Sequence, residues 1–241
     1  MKNTLKPSVL KGVLLAVTLF AGAAFCEVSY GSLTDTRDGK IYKTVKIGTQ
    51  TWMAENLNYT YNKGTARGYC YKDDSVNCTR YGRLYTWSAA MDSAAVFGEG
   101  GKGCGGDKTC SPANPVRGVC PEGWHLPSDA EWDTLEKFVA DSLFGGKRDS
   151  VGYALKSASG WWKNGSDAVG FGALPSSYDV FLSSYDSRWF EDDLDGAYFW
   201  SATELGSFFA FRRLLYYDFP YLSMNVRAKC YALSVRCVKD S

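Results

Sequence analysis

The chain contains a single histidine, so any nucleophile–histidine–acid arrangement would have only His125 as its base. Its eight cysteines include no C-x-x-C pair and no Cys/His spacing of the zinc-ligand kind, which excludes the common structural zinc sites. No run of Lys and Arg and no Lys-rich amphipathic helix is present, so neither a nucleic-acid partner nor an anionic membrane surface is indicated. No internal repeat or low-complexity linker interrupts the chain, which leaves no boundary for a second domain. Long apolar runs are also missing. The longest, Gly12 to Phe25, has fourteen residues, against the roughly 20 a membrane-spanning helix needs, so no stable membrane insertion is expected.

That run sits where an export signal would. Lys2, Lys6 and Lys11 precede it without an acid and small residues end it, so residues 1–26 read as a signal peptide cleaved between Ala23 and Cys26. Lipid attachment at Cys26 would require a small residue before it, and Phe25 stands there instead. Residues 27–241 are then one domain, secreted or displayed on the outer surface of a bacterium. The leader removes three lysines and no acid, so 27 basic and 26 acidic residues become 24 and 26, a formal charge of −2. Aromatic residues make up 15% of the chain, more than a core of this size needs, so some rings are expected to face outward.

In an exported chain, cysteines are read as disulfides first. Cys70 and Cys78 bracket a short polar loop, Cys104 and Cys110 bracket another, and Cys120 with Cys237 supplies the long crosslink; Cys230 is left over. Closing a loop of over a hundred residues contributes about 4–5 kcal/mol in the chain-entropy picture, against about 3 for a short loop.

The densest local signal is the stretch from Cys120 to Trp132. Ser128 and Glu131 form a capping box, which predicts a helix beginning at Ser128 and ending near Leu143. Its spacing turns Trp132, Leu135, Phe138 and Val139 inward and leaves Asp133, Glu136 and Lys137 in water. Upstream, Asp38-Gly39 predicts a two-residue hairpin and Gly48-Thr49 a second turn, with an intervening strand near a sheet edge. Residues 60–80 read as a loop pinned by the first bridge. Leu84, Trp87, Ala90 and Met91 predict a second helix ending at Gly98, and 98–119, with seven glycines, reads as a long exposed loop. Beyond Gly145-Gly146 the chain reads as strand and turn: YALKSASGWW, an Asn164-Gly165 turn, YFWSATE, FFAFRRLLYYDF and YALSVRCV. Two helices and a strand-rich second half give an α+β domain.

The segments DGKIYKTVKIGTQTWMAENLNY, YGRLYTWSAAM, CPEGWHLPSDAEWDTLE, FGALPSSY, YFWSATE and SVRCVKD together resemble the Fibrobacter succinogenes major paralogous domain, in order along nearly the whole mature chain. LPSDAEW and the terminal RCV are also similar to the formylglycine-generating enzyme group. The resemblance implies a C-type-lectin-like α+β fold: two helices on twisted antiparallel sheets, long loops, and chain ends meeting in one sheet. That agrees with the Cys120–Cys237 pairing. It also implies an exported protein of fibre-degrading bacteria, without supplying an activity.

Three sets of residues invite a functional reading. His125 lies between Trp124 and Leu126 on the approach to the capped helix, where a packed, hydrogen-bonded ring is the expected role rather than catalysis. Asp186, Glu191, Asp192, Asp193 and Asp195 form an acidic loop ending at Gly196. Asp186, Asp192, Asp193 and Asp195 are hard oxygen ligands suited to calcium, though the EF-hand pattern is incomplete; a solvated loop or a glycosidase carboxylate pair are the other readings. In the strand SFFAFRRLLYYDF, Phe211, Arg213, Leu215 and Tyr217 share one face and Arg212, Leu214, Tyr216 and Asp218 the other. The second face is expected to meet solvent, with Arg212, Tyr216 and Asp218, joined by Tyr221 and Trp189, binding a ligand by stacking and hydrogen bonds. Formylglycine-type oxidation would need a reactive cysteine pair upstream of the RC motif, and no cysteine lies between Cys120 and Cys230. The expected function is thus a non-catalytic surface module for a plant-wall polysaccharide, another glycan or a surface protein. An enzyme and a structural surface protein are the alternatives. No cofactor beyond calcium is expected.

Overall fold

The computed structural model describes residues 28–163, 165–176, 179–182, 187–190 and 195–241, with 179–182 and 187–190 described by backbone alone. In chain order the strands are β1 (Tyr30–Thr34), β2 (Ile41–Ile47), β3 (Gln50–Met53), β4 (Asn62–Lys63), β5 (Ala66–Tyr69), β6 (Leu84–Thr86), β7 (Trp124–His125), β8 (Asp179–Leu182), β9 (Ser187–Phe190), β10 (Gly196–Leu205), β11 (Phe209–Tyr216), β12 (Ser223–Ala228), β13 (Tyr231–Ser234) and β14 (Val238–Lys239). The α-helices are α1 (Ser75–Tyr81), α2 (Trp87–Ala90), α3 (Asp129–Phe144) and α4 (Val151–Leu155). Two sheets result. The smaller has the order β1-β2-β3-β14-β7 and is antiparallel; the larger runs β12-β11-β10-β13-β6-β5-β4, with β8 also on β13 and β9 on β8. Among the described residues its one parallel contact is Phe199 against Ser234. This is an α+β domain.

Both sheets are joined by the last residues of the chain. Between β13 and β14, the carbonyls of Val235 and Cys237 accept from the Leu57 and Met53 amides. β14 then lies between β3 and β7, so the C-terminus is clamped from both sides. Cys120 and Cys237 are bonded here, as are Cys70 with Cys78 and Cys104 with Cys110, while Cys230 is free and exposed.

Strand β10 explains its own composition. Ala197 and Phe199 enter one core cluster, with α3, Trp52 and Phe171; Tyr198 and Trp200 enter the other, with Trp87, Met91 and Cys120. A strand buried on both faces reads as a continuous apolar run rather than an alternation. In the first cluster Trp132 sits 4.7 Å from Trp52 and 5.5 Å from Phe199. In the second, the Trp200 and Trp87 indoles donate to the Tyr85 and Ser201 carbonyls, which satisfies their only polar atoms.

The capped helix forms as predicted: Ser128 accepts from the Glu131 amide, the Glu131 carboxylate accepts from the Ser128 amide, and Gly145 closes the other end in the left-handed region. Two of its side chains depart from expectation. Glu136 is buried against Arg148 at 3.1 Å, and Phe138 is 40% exposed because it covers the β2–β3 turn instead of the core. Gly48 of that turn has φ +62°, and a Cβ there would stand 2.8 Å from the Phe138 ring, so glycine is required twice over.

Other segments are corrected by tertiary pairing. Leu84 to Thr86 form β6 against β13 rather than a helix, and α2 is only four residues long. Asp92, at φ 56°, ends that helix and accepts from the Val96 and Phe97 amides. Residues 60–80 are more than a loop, since they hold β4, β5 and α1, the last capped by Asp74. The Asp38-Gly39 hairpin is wider than two residues: buried Asp35, bonded by Arg37, organises residues 35–40. The loop 98–119 is not wholly exposed, for Gly101, Cys104, Val116 and Val119 are buried. Tyr153 to Leu155 are helical, in α4, rather than extended. Asn164 lies outside the described residues.

Candidate functional site

Strand β11 carries the predicted binding face, and half of that prediction is reversed. Arg213 and Leu215 are buried as expected, Arg213 reaching Asp129 at 2.7 Å and Asp133 at 2.9 Å to tie α3 to the sheet. Arg212 does not meet solvent. It is 6% exposed, with its guanidinium 5.0 Å from the Tyr198 ring centre, because β10 places that ring on the same side of the sheet. Tyr216 and Asp218 are half-buried and Tyr221 is exposed. Trp189 belongs to β9, whose side chains lie outside the description, as do Asp186, Asp192 and Asp193.

Where β11 ends, the residues that remain accessible form a ledge of rings. Tyr216 and Tyr217 lie 4.8 Å apart, Tyr216 and Phe219 5.6 Å, and Phe219 and Tyr221 are stacked at 5.1 Å with planes 13° apart. Phe219 and Tyr221 are about 40% exposed. Such a row offers flat apolar faces with phenol hydroxyls at their edges.

The ledge is held from below by Lys156, which follows α4 and is 3% exposed. Its ammonium donates to the carbonyls of Tyr216 (2.5 Å), Phe219 (2.8 Å) and Tyr217 (3.4 Å), and lies 4.8 Å from the Trp161 ring centre. Three carbonyls of one turn thus converge on one cation. Burial pulls Lys156 down to about 8, opposed by the charge of Asp218. The turn is further seated on Gly152, where a Cβ would stand 2.4 Å from the Tyr221 carbonyl oxygen; the neighbouring Tyr153 amide donates to Pro220. No local pattern identifies Lys156 as the partner of a turn sixty residues away. The accessible hint was Tyr216-Tyr217-Asp218-Phe219-Pro220-Tyr221, four rings around a proline at a strand end.

Asp195 borders the same edge of the sheet. Its carboxylate accepts from the Tyr198 hydroxyl at 3.2 Å and from Tyr216, and that hydrogen bond raises the Tyr216 phenol to about 12. Among the described residues no group of three or more His, Cys, Asp or Glu converges as a metal site. None of their helices is long and apolar enough to cross a membrane.

His125 is the packed ring its surroundings predict. It is 5% exposed, with Nδ1 2.7 Å from Asp240 and Nε2 2.6 Å from Glu131. Burial opposes its charge, but bonds to both carboxylates hold its pKa above the ordinary value. Glu131 is held below its own, burial being outweighed by bonds from His125 and Ser128. With both nitrogens engaged, the ring joins the start of α3 to the C-terminal strand beside the Cys120–Cys237 bond.

No curated protein and no solved structure matches the chain. The family model described as the Fibrobacter succinogenes major domain matches residues 45–239, from β2 through β14 and including the ledge, α3 and the long disulfide. The chain therefore belongs to the Fibrobacter succinogenes major domain family.

Proposed function

We propose that this chain is an exported, C-type-lectin-like module that binds an extracellular glycan, such as a plant-wall polysaccharide, through the ring ledge at Tyr216 to Tyr221, without chemistry of its own. The observation that carries the reading is the turn itself: stacked, accessible rings on a backbone fixed by a buried ammonium. Sugars present alternating apolar faces and hydroxyls, and a rigid row of rings meets them with little ordering cost. Export is supported by the leader's pattern and by three disulfides, which persist in oxidising compartments. Arg212 is no longer part of the binding face. Calcium keeps its place as a proposal for the Asp186, Asp192, Asp193 and Asp195 loop, tested by a rise in melting temperature with calcium that chelator reverses.

Retention of the purified chain on insoluble cellulose and on a glycan array tests the ledge. Phe219→Ala combined with Tyr221→Ala, both exposed, is expected to abolish retention while leaving the melting temperature nearly unchanged. Retention that survives the double substitution removes the ledge from the function. A structural surface role is the second reading. It is favoured by the exposed Leu205, Phe208 and Phe209 around the β10–β11 turn, and it predicts self-association that substitution of Phe208 weakens.

A further inference from the structure

The larger sheet ends at β12, and among the described residues no strand pairs with its outer edge. Which groups line that edge follows from the ladder. β12 pairs with β11 over six consecutive positions, from Leu214 opposite Ser223 to Phe209 opposite Ala228. Just beyond them the Lys229 amide donates to the Phe208 carbonyl at 2.9 Å, so Phe208 and Lys229 are a hydrogen-bonded pair. In an antiparallel ladder such pairs alternate with pairs that exchange no bonds. Arg227, Asn225 and Ser223 therefore turn their amides and carbonyls toward β11, whereas Ala228, Val226 and Met224 turn theirs outward. An edge of this kind is a template for another strand.

The central outward amide is already taken. The Asn225 side chain folds back along the edge, and its Oδ1 accepts from the Val226 amide at 2.7 Å. That position decides what can pair here. A second copy of β12, antiparallel to the first about a two-fold axis at Val226, sets Val226 against Val226 and Met224 against Ala228 on either side. These are the outward-facing residues, so each pair exchanges both of its backbone hydrogen bonds. Their side chains share one face with Phe209 and Phe211 across the ladder, and Met224 is 53% and Phe209 45% exposed. The pairing thus joins apolar side chains on that face. On the other face Asn225 meets Arg227, so no like charges stand opposite each other. Such an isologous contact asks of each copy only what the other also carries.

We infer that the outer edge of β12 is a pairing surface for a second copy of this chain, and that Asn225 restrains it by occupying the amide at the two-fold axis. The inference rests neither on the ledge nor on the β10–β11 turn. Sedimentation equilibrium of the purified oxidised chain tests it. Asn225→Ala, at an exposed position, frees the Val226 amide of both copies. It should tighten self-association roughly thirtyfold, the equivalent of two hydrogen bonds at about 1 kcal/mol each. Added to Asn225→Ala, Val226→Lys sets two ammonium groups opposite each other at the axis, and Val226→Pro removes the outward amide without breaking a ladder bond. Either should return association to the native level or below. Val226→Lys leaves the backbone untouched and carries the test where proline disturbs the fold. Phe208→Ser should leave the gain intact. Association unchanged in Asn225→Ala, a gain that survives the Val226 substitutions, or one lost with Phe208→Ser would each overturn the inference.

Discussion

Two buried lysines stand at opposite ends of β11, and each holds a turn. At the first end, Lys229 donates to the carbonyls of Gly206 and Lys108 at 2.9 Å and pairs with Glu204 at 2.7 Å, its ammonium 4.5 Å from the Trp87 ring centre. At the other, Lys156 likewise lies over an indole, that of Trp161, and donates to backbone carbonyls, those of Tyr216 and Phe219, but has no carboxylate in contact among the described residues. The difference is one counter-charge. Glu204 also accepts from the Cys110 amide, so the first end is knitted to a disulfide loop. The second is held by the Lys156 ammonium and by backbone hydrogen bonds, with no ion pair in contact among the described residues, and is the end that presents rings. A turn can be rigid without an ion pair, provided its carbonyls converge on one cation.

Removing the counter-charge where it exists should have the larger effect. Glu204→Ala leaves Lys229 buried and unpaired, and a cost of about 3–5 kcal/mol is expected. Thermal unfolding would show it as a fall of roughly 6–20 °C at about 2–4 °C per kcal/mol. Lys156→Met removes the donor from three carbonyls and should cost about 2 kcal/mol, with hydrogen exchange rising at residues 216–221 and not at the Gly206 turn. An equal rise at both turns would break the comparison.

pH sharpens it. The Lys156 pKa falls from 10.5 unfolded to about 8 folded, so between those values the unfolded chain binds the extra proton. Stability of the native chain relative to Lys156→Met should therefore rise as pH climbs from 8 to 10.5. His125 has the opposite sign. Its folded pKa is raised above 6.5, so its contribution is complete below that value and is lost as pH rises through the folded one. His125→Gln should accordingly cost more at pH 6 than at pH 9, readable in denaturant midpoints. The reverse ordering would mean that the imidazole is neutral between its two carboxylates.

The parts of this fold that could be read from the chain are those whose physics is local. Ser128 and Glu131 specify a helix start within four residues, Gly48 a turn within two, and Cys70 with Cys78 a loop too short to leave many partners. Closing the short loops left Cys120 with Cys230 or Cys237 as its partner, and the expected Cys237 is the one it bonds. What escaped depends on distant neighbours. Leu84 to Thr86 have helical spacing but pair with β13, nearly 150 residues on. Arg212 alternates correctly with Arg213, yet which side of β11 is covered is decided by Tyr198 on the adjacent strand. Lys156 reaches a turn 60 to 63 residues away. Of the ledge, Tyr216 and Tyr221 were expected on a binding face, whereas Phe219, Tyr217 and the cation beneath them were not.

The claim on which the rest depends is that Lys156 makes the ring ledge a binding surface rather than a loose turn. Retention of folded Lys156→Met on the same glycan support that holds the native chain tests it most directly, with near-ultraviolet dichroism confirming the core. Loss of retention comparable to that of Phe219→Ala with Tyr221→Ala is the expected result; undiminished retention, with Lys156 gone and the core intact, would contradict it.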